Sequence, residues 1–292
     1  MIPIAYITEW KNVAPWADDA QVEQDLILSR VIVEIFNDPY LKQELAFRGG
    51  TALHKLFFSP AARYSEDIDL VRASKGPIGE IIDKLKAQLS PWLGNPQIIR
   101  TARSVKLRYS FMTEKLPASK ARIKIEINIE ESFSILDRLE KDFSVTSQWF
   151  TGFCQVNTFH FHELIATKLR ALYQRKKGRD VFDLWLAINH NNFDPKAIVD
   201  IFLEYMKMNG EGIITQSLFE KNLDSKLHEP SFLYDIGILL SPELLQTHAR
   251  PISSPDGILI TAENGIHITT EGWSLADAAK EIKNQFLIWL PK

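Results

Sequence analysis

The repeat of apolar and polar positions along this chain changes character once, near residues 150 to 158. Before that point, helical and strand-like periods are mixed. Residues 19 to 37 place Leu26, Ile27, Val31, Ile32, Val33, Ile35 and Phe36 among acids and glutamines, the spacing of an amphipathic helix that Asn37-Asp38-Pro39 stops. Residues 77 to 89 read as a second helix through Ile78, Ile81, Ile82, Leu85 and Leu89, with Ser90-Pro91 and Gly94-Asn95-Pro96 punctuating its end. Residues 97 to 103, 105 to 112 and 122 to 130 read as strands, the last two separated by a polar, hairpin-like loop at 113 to 120. In the third, Ile123, Ile125, Ile127 and Ile129 alternate with Lys124, Glu126, Asn128 and Glu130, so one face belongs to a core and the other is polar.

After that point the period is helical. Phe161, Leu164, Ile165, Leu169 and Leu172 form one stripe that stops at Lys176-Lys177-Gly178, and Val181, Leu184, Trp185 and Ile188 form the next. Further helices are expected at 195 to 208, 215 to 223 and 274 to 289, and a hairpin at 258 to 270 around Asn264-Gly265. The expected fold class is therefore α+β: a domain over 1–155 with a mixed sheet and helices, then a mainly helical domain over 156–292 with one small hairpin. A chain of 292 residues with 45% apolar content can bury the cores that this requires.

A formal charge of −3 excludes a generally basic nucleic-acid coating protein. Positive charge is concentrated instead. Residues 100 to 124 hold eight Lys or Arg against one acid, and residues 163 to 179 hold six against one. The single Cys154 allows no internal disulfide and no cysteine-based zinc site, which suits a reducing compartment. The first residues lack a basic segment ahead of an apolar run, and no window reaches the roughly 18 to 20 apolar residues needed to span a bilayer. A cytoplasmic protein with no membrane partner is expected.

The chemistry concentrates between Phe47 and Val71, FRGGTALHKLFFSPAARYSEDIDLV. Leu45-Ala46-Phe47, then Gly49-Gly50, then the apolar run from Thr51 give the order strand, tight turn, helix start. Two glycines let backbone N–H groups approach an anion, and a helix N-terminus adds partial positive charge. Thr51 is placed to cap that helix or to donate its hydroxyl to a phosphate. Downstream, strand alternation turns Ile68 and Leu70 to one face and Asp67 and Asp69 to the other. At roughly 5 Å and an effective dielectric near 20, two such charges repel by about 3 kcal/mol, which calls for a cation or for solvent. Mg²⁺ suits them, with Mn²⁺ the alternative, because it takes carboxylates, water and substrate phosphates as oxygen ligands.

These two motifs together resemble the signature of the nucleotidyltransferase superfamily. More narrowly, FRGGTALHK with RYSEDIDLV resembles the AbiEii/AbiGii-type nucleotidyltransferase toxins of toxin-antitoxin and phage-defence systems. The resemblance covers most of the first 190 residues. It implies a nucleotidyltransferase fold in the first domain and transfer of nucleotides from NTP to an RNA acceptor, plausibly the tRNA 3′ end, with a cognate antitoxin as partner. Two Mg²⁺ ions would act there, held by Asp67 and Asp69 with a third carboxylate from a neighbouring strand. Glu126 is the candidate, as the central acid on its polar face, with Glu130 the fallback.

Gly49, Gly50, Thr51, Lys55 and Ser65 are expected to contact the nucleotide. The resemblance further assigns Lys168, in Glu163-Leu-Ile-Ala-Thr-Lys-Leu-Arg-Ala-Leu, to the triphosphate, and places Asp180, in Arg179-Asp180-Val181-Phe182-Asp183-Leu184, near the active site. Local chemistry offers Asp180 a second role as cap of the helix after Gly178, with Asp183 three residues on in the capping-box position. His160 and His162 read as a helix start with no metal role. Both basic stretches are expected to line a path for triphosphate and RNA, Lys176 and Lys177 also suiting an acidic antitoxin. The other readings left open are a transferase acting on a protein or small molecule, a nucleotide-binding regulator without turnover, and a pure interaction protein.

Overall fold

A computed structural model describes residues 2–58, 60–190, 193–240, 259–261, 267–269 and 274–292. The chain divides into two compact units, Met1–His160 and Phe161–Lys292. Among the described residues, no helix is long and apolar enough to cross a membrane.

The first unit is built on a mixed seven-stranded sheet. Its elements are α1 (Ile4–Trp10), α2 (Asp19–Asn37), α3 (Pro39–Glu44), β1 (Leu45–Arg48), α4 (Gly49–Leu56), β2 (Asp67–Arg72), α5 (Gly79–Leu93), β3 (Gln97–Arg100), β4 (Ser104–Met112), β5 (Lys120–Asn128), β6 (Leu139–Thr146) and β7 (Thr151–Thr158). The strand order is β3-β4-β5-β2-β1-β7-β6. β2 pairs antiparallel with β1 and parallel with β5, and so lies at the middle of the sheet. One face carries Ile68, Leu70, Val105, Leu107, Tyr109, Ile123, Ile125 and Ile127, all buried, and α2 packs against the sheet. The Asp18 carboxylate caps α2 by accepting from the Ala20 N–H, and Asp38 caps α3 in the same way at Leu41, with Pro39 at the first helical position.

Three elements depart from the sequence reading. α5 does not stop at Ser90-Pro91. It carries Pro91 in its last turn and ends at Gly94, whose φ is 76°. A proline so near the end forfeits one helical hydrogen bond only, and Trp92, gained by the extension, lies 4.0 Å from the Arg30 guanidinium and donates to Glu34. The β6–β7 hairpin was not anticipated, although Phe143, Val145, Cys154 and Val156 alternate inward along it. β7 runs to Thr158, past the expected domain end at 155.

Lys55 departs from its expected role at the nucleotide. Its ammonium donates to Asp25 Oδ1 at 2.7 Å, where the Trp10 indole also donates at 2.9 Å, while Trp16 takes Oδ2 at 3.2 Å. Asp25 is 1% exposed, so this carboxylate gathers α1, α2, α4 and the segment between α1 and α2 around one buried charge. The pull of that charge directs Lys55 to α2.

The second unit holds α6 (Phe161–Gln174), α7 (Gly178–Ile188), α8 (Pro195–Met208), α9 (Gln216–Leu227), α10 (Pro230–Tyr234) and α11 (Leu275–Gln285), with short 3-10 turns at Gly237–Leu239 and Leu287–Trp289. α6 packs on α7 and α8, and α11 on α7. Phe182, Phe202, Tyr205, Phe219 and Phe286 fill the core. β8 (Leu259–Thr261) and β9 (His267–Thr269) pair antiparallel, within the stretch expected to form a hairpin; its Asn264-Gly265 centre lies outside the described residues. Gly178 opens α7 instead of closing the preceding helix. A Cβ there would lie 2.3 Å from the Phe232 carbonyl oxygen, so only glycine admits α10 this closely.

Asp25→Asn tests the buried hub. Loss of the charge leaves the Lys55 ammonium uncompensated in a nearly closed site, and the expected cost is on the order of 3 kcal/mol. Chemical denaturation of the variant checks it, and a change within about 0.5 kcal/mol, ordinary for a surface substitution, contradicts the assignment.

Candidate active site

The acidic pair stands where the alternation of β2 puts it. Asp67 and Asp69 point away from the face that buries Ile68 and Leu70. The parallel register sets Asp67 beside Lys124 and Asp69 beside Glu126, and the antiparallel partner of Asp69 on β1 is Arg48. Gly49 follows Arg48 at φ 83° and begins α4. A Cβ on Gly49 would lie 2.4 Å from Asp69 Oδ2, so the turn tolerates no side chain where it meets the carboxylate.

Thr51 neither caps α4 nor points outward. The N-cap is Arg48, and the Thr51 hydroxyl donates to the Asp67 carbonyl oxygen while lying 2.6 Å from Ser65 Oγ. Thr51 and Ser65 therefore bind the glycine turn to the start of β2.

The electrostatics of the pair are unfavourable as they stand. Burial, which disfavours the charged form, raises the pKa of both carboxyls; for Asp69 the next largest cause is the charge of Asp67. Lys124 partly offsets this at Asp67, its Nζ lying 2.7 Å from Oδ2. Asp69 has no hydrogen bond or ion pair among the described residues. Arg48, its neighbour on β1, directs its guanidinium to Glu131 at 2.9 Å.

Glu126 lies on the expected face but is not gathered with the pair. Its Oε1 accepts from Ser104 Oγ at 2.9 Å and from Lys106 Nζ at 3.1 Å, and Oε2 lies 3.4 Å from Lys124 Nζ. Burial acts to raise its pKa, but the Lys106 and Ser104 hydrogen bonds outweigh it and hold the carboxyl below its usual range. Partners on β4 thus occupy Glu126 Oε1, while Oε2 faces Lys124. Accordingly, among the described residues no group of three His, Cys, Asp or Glu side chains is arranged to hold a metal ion. Asp67 and Asp69 by themselves suit one hard divalent cation: they are oxygen donors on one face, and Asp69 has no hydrogen bond or ion pair among the described residues. Glu130, the fallback, pairs with Arg103 at 3.0 Å on the surface.

Sequence reasoning allowed a lysine-paired Glu126 as the alternative to a metal ligand, without saying which lysine, and overlooked Ser104; Lys106, Lys124 and Ser104 organise this face. The signal was present for Lys124, which shares the polar face of β5 with Glu126.

Lys168 and Asp180 lie in the second unit and meet there. Lys168 is 6% exposed, and its ammonium is 2.7 Å from Asp183 and 3.5 Å from Asp180, both fully buried. Arg175 completes the cluster with two hydrogen bonds to Asp180, at 2.7 and 2.8 Å. Asp180 is therefore not a helix cap. The N-cap of α7 is Lys177, without a side-chain hydrogen bond, and Asp180 turns into the core instead.

The basic stretch at 163 to 179 is largely consumed by such pairs. Lys176 meets Glu229, while Lys177 and Arg179 both meet Asp235 and hold it down at about 2 against the burial that would raise it. Arg170 lies over the Tyr205 ring. The expected free patch is thus neutralised by acids far along the chain. At 100 to 124 the outcome differs: Arg100, Arg108, Lys120 and Arg122 form no ion pair among the described residues.

A model of the family described as "Nucleotidyl transferase AbiEii toxin, Type IV TA system" matches residues 30–249. The chain belongs to the AbiEii nucleotidyltransferase toxin family. Of solved structures, MenT4, a nucleotidyltransferase toxin of Mycobacterium tuberculosis, is 13% identical with a TM-score of 0.56, over 99% of this chain and 90% of its own. A candidate nucleotidyltransferase from H. pylori is 17% identical with a TM-score of 0.51, over 94% of this chain and 95% of its own. At these identities the likeness is one of fold. Comparison with curated protein sequences finds no match. Membership of this AbiEii family makes the chain a nucleotidyltransferase toxin of a toxin-antitoxin system and implies a cognate antitoxin.

The raised carboxylates give a pH test. A carboxyl whose folded pKa is raised above its unfolded value, near 3.8 for aspartate, costs no stability below the unfolded value; the cost grows as pH rises from there to the folded value and levels off above it. In the absence of divalent cations, Asp69→Asn should therefore gain on the wild type as pH rises from about 4 towards neutrality. Denaturant unfolding at several pH values measures the difference, and a flat or opposite trend contradicts the assignment.

Proposed function

We propose that this AbiEii-family toxin is a Mg²⁺-dependent enzyme that transfers a nucleotide from NTP to the 3′ end of an RNA, tRNA being the leading acceptor, within a toxin-antitoxin or phage-defence system. The observation that carries this reading is the Asp69 carboxylate, without hydrogen bond or ion pair among the described residues, beside the Gly49 turn at the start of α4.

The attacking hydroxyl forms a bond to the α-phosphorus while the bond to pyrophosphate breaks. Bound Mg²⁺ would neutralise negative charge developing on the α-phosphate and the departing pyrophosphate. Asp67 and Asp69 would hold the ion. The backbone N–H groups of Gly49 and Gly50 at the start of α4 would meet triphosphate oxygens, and Thr51 with Ser65 keeps that turn in register with the acids. In the second unit the Lys168 ammonium pairs with Asp183 and Asp180, and Arg175 also binds Asp180.

RNA is favoured as acceptor by the polar face of β4 and β5. Arg108 lies directly across from Lys124, which lies across from Asp67, and Arg122 and Lys120 continue the same face of β5. Arg108, Arg122 and Lys120, which form no ion pair among the described residues, suit a phosphate backbone in a row leading away from the acidic pair.

Incubation of the purified protein with total RNA, Mg²⁺ and each labelled NTP in turn tests the function. Label should enter RNA, and Asp67→Asn or Asp69→Asn should lower incorporation by at least about a thousandfold, as expected where charge stabilisation is lost. Arg108→Glu with Arg122→Glu should reduce RNA labelling several-fold, and wild-type RNA affinity should fall with a log-log salt slope of about −3 to −4 for four phosphates. Label in protein or small molecules would replace the acceptor. NTP binding without pyrophosphate release would replace the enzyme by a regulator, and a cellular effect that survives loss of both aspartates would leave an interaction protein.

A further inference from the structure

Lys124 holds a position that its neighbours make unusual. Its Nζ touches two carboxylates from different strands, Asp67 at 2.7 Å and Glu126 at 3.4 Å. Glu126 has other partners, since Lys106 and Ser104 both reach its Oε1. Asp67 has no second cation among the described residues. The face therefore sets three carboxylates, Asp67, Asp69 and Glu126, against two lysines, and Lys124 is the one that joins the acidic pair to Glu126.

We propose that Lys124 is a tethered counter-cation that occupies the divalent-cation position at Asp67 and gives it up when cation and triphosphate arrive together. This rests on the reading of Asp67 and Asp69 as cation ligands. An ammonium on a flexible four-carbon stem is suited to such an exchange, because it can leave one acceptor for another without moving the strand. While it sits on Asp67, a divalent ion alone must displace a like charge, which lowers its affinity. Once displaced, the ammonium requires a new anion. Triphosphate oxygens supply one, so the exchange couples cation binding to nucleotide binding, each favouring the other by the same factor. It also frees Glu126 Oε2, so the third carboxylate becomes available only as the nucleotide binds.

Titration calorimetry with Mn²⁺, with and without a non-hydrolysable NTP analogue, tests this. Without the analogue, Lys124→Met should bind Mn²⁺ on the order of tenfold more tightly than wild type, because one positive charge has left the site. Lys124→Arg should stay near wild type. With the analogue, wild type should gain affinity for Mn²⁺, and Lys124→Met should lose most of that gain. Unchanged or weaker Mn²⁺ binding by Lys124→Met, or an unchanged gain, overturns the proposal.

Asp67→Asn separates the two possible failures. If it abolishes Mn²⁺ binding while Lys124→Met changes nothing, the exchange is wrong and the cation site stands. If it leaves Mn²⁺ binding intact, both fall. Thermal unfolding without divalent ions adds a readout independent of binding: Lys124→Met should unfold at a lower temperature than wild type, and adding Asp67→Asn should recover most of the loss. Failure of the double variant to recover shows that Asp67 is not the partner that matters, and overturns the proposal.

Discussion

Two carboxylates on alternate positions of one central strand are forced onto the same face, and nothing in β2 itself can separate them. The polar groups around β2 respond to that constraint. Lys124 sits on Asp67, and Arg48 contributes positive charge beside Asp69. Gly49 is held at a left-handed φ because the space that a side chain would fill belongs to Asp69. Hydrogen bonds from Thr51 fasten the glycine turn to the strand that bears the acids, so the turn and the acidic pair keep a fixed spacing. A site of this kind stores unfavourable charge in one protein state and discharges it on its ligands, which is the economy expected of phosphoryl chemistry.

The sequence disclosed what periodicity and local motif can carry. β2 and β5 were legible because their isoleucines and leucines alternate with charged residues, and α2 because its apolar stripe runs for five turns between clear signals. The glycine turn and the acid pair were legible because both lie within one short stretch. The β6–β7 hairpin was missed because β6 carries Glu140, Lys141, Asp142 and Ser144 and buries little besides Phe143 and Val145. Edge strands of this kind offer a weak apolar signal.

The harder failures concern charge. Lys55 was read beside the glycine turn, but its partner Asp25 lies 30 residues earlier. Lys176 and Lys177 looked like an open patch, but Glu229 and Asp235 return to them from 53 and 58 residues away. Asp180 was read as a possible cap from its place after a glycine, whereas Lys168 and Arg175 claim it from the preceding helix and the residue following it. Counting charges along a chain says where ions are, not which remain for a ligand. Only folding decides that, and here it leaves Arg108, Lys120 and Arg122 without ion pairs among the described residues, on the face of β4 and β5 that leads away from the acidic pair, while largely neutralising the second basic stretch.

The central claim is that the face shared by Asp67 and Asp69 is a divalent-cation site that meets a triphosphate at the Gly49-Gly50 turn. A crystal structure of the protein with Mn²⁺ and a non-hydrolysable NTP analogue, with the metal located by anomalous scattering, tests it most directly. The account predicts an anomalous peak coordinated by carboxylate oxygens of Asp67 and Asp69, with the triphosphate against the backbone of Gly49 and Gly50. A nucleotide bound elsewhere, or a metal that leaves both aspartates uncoordinated, would contradict it.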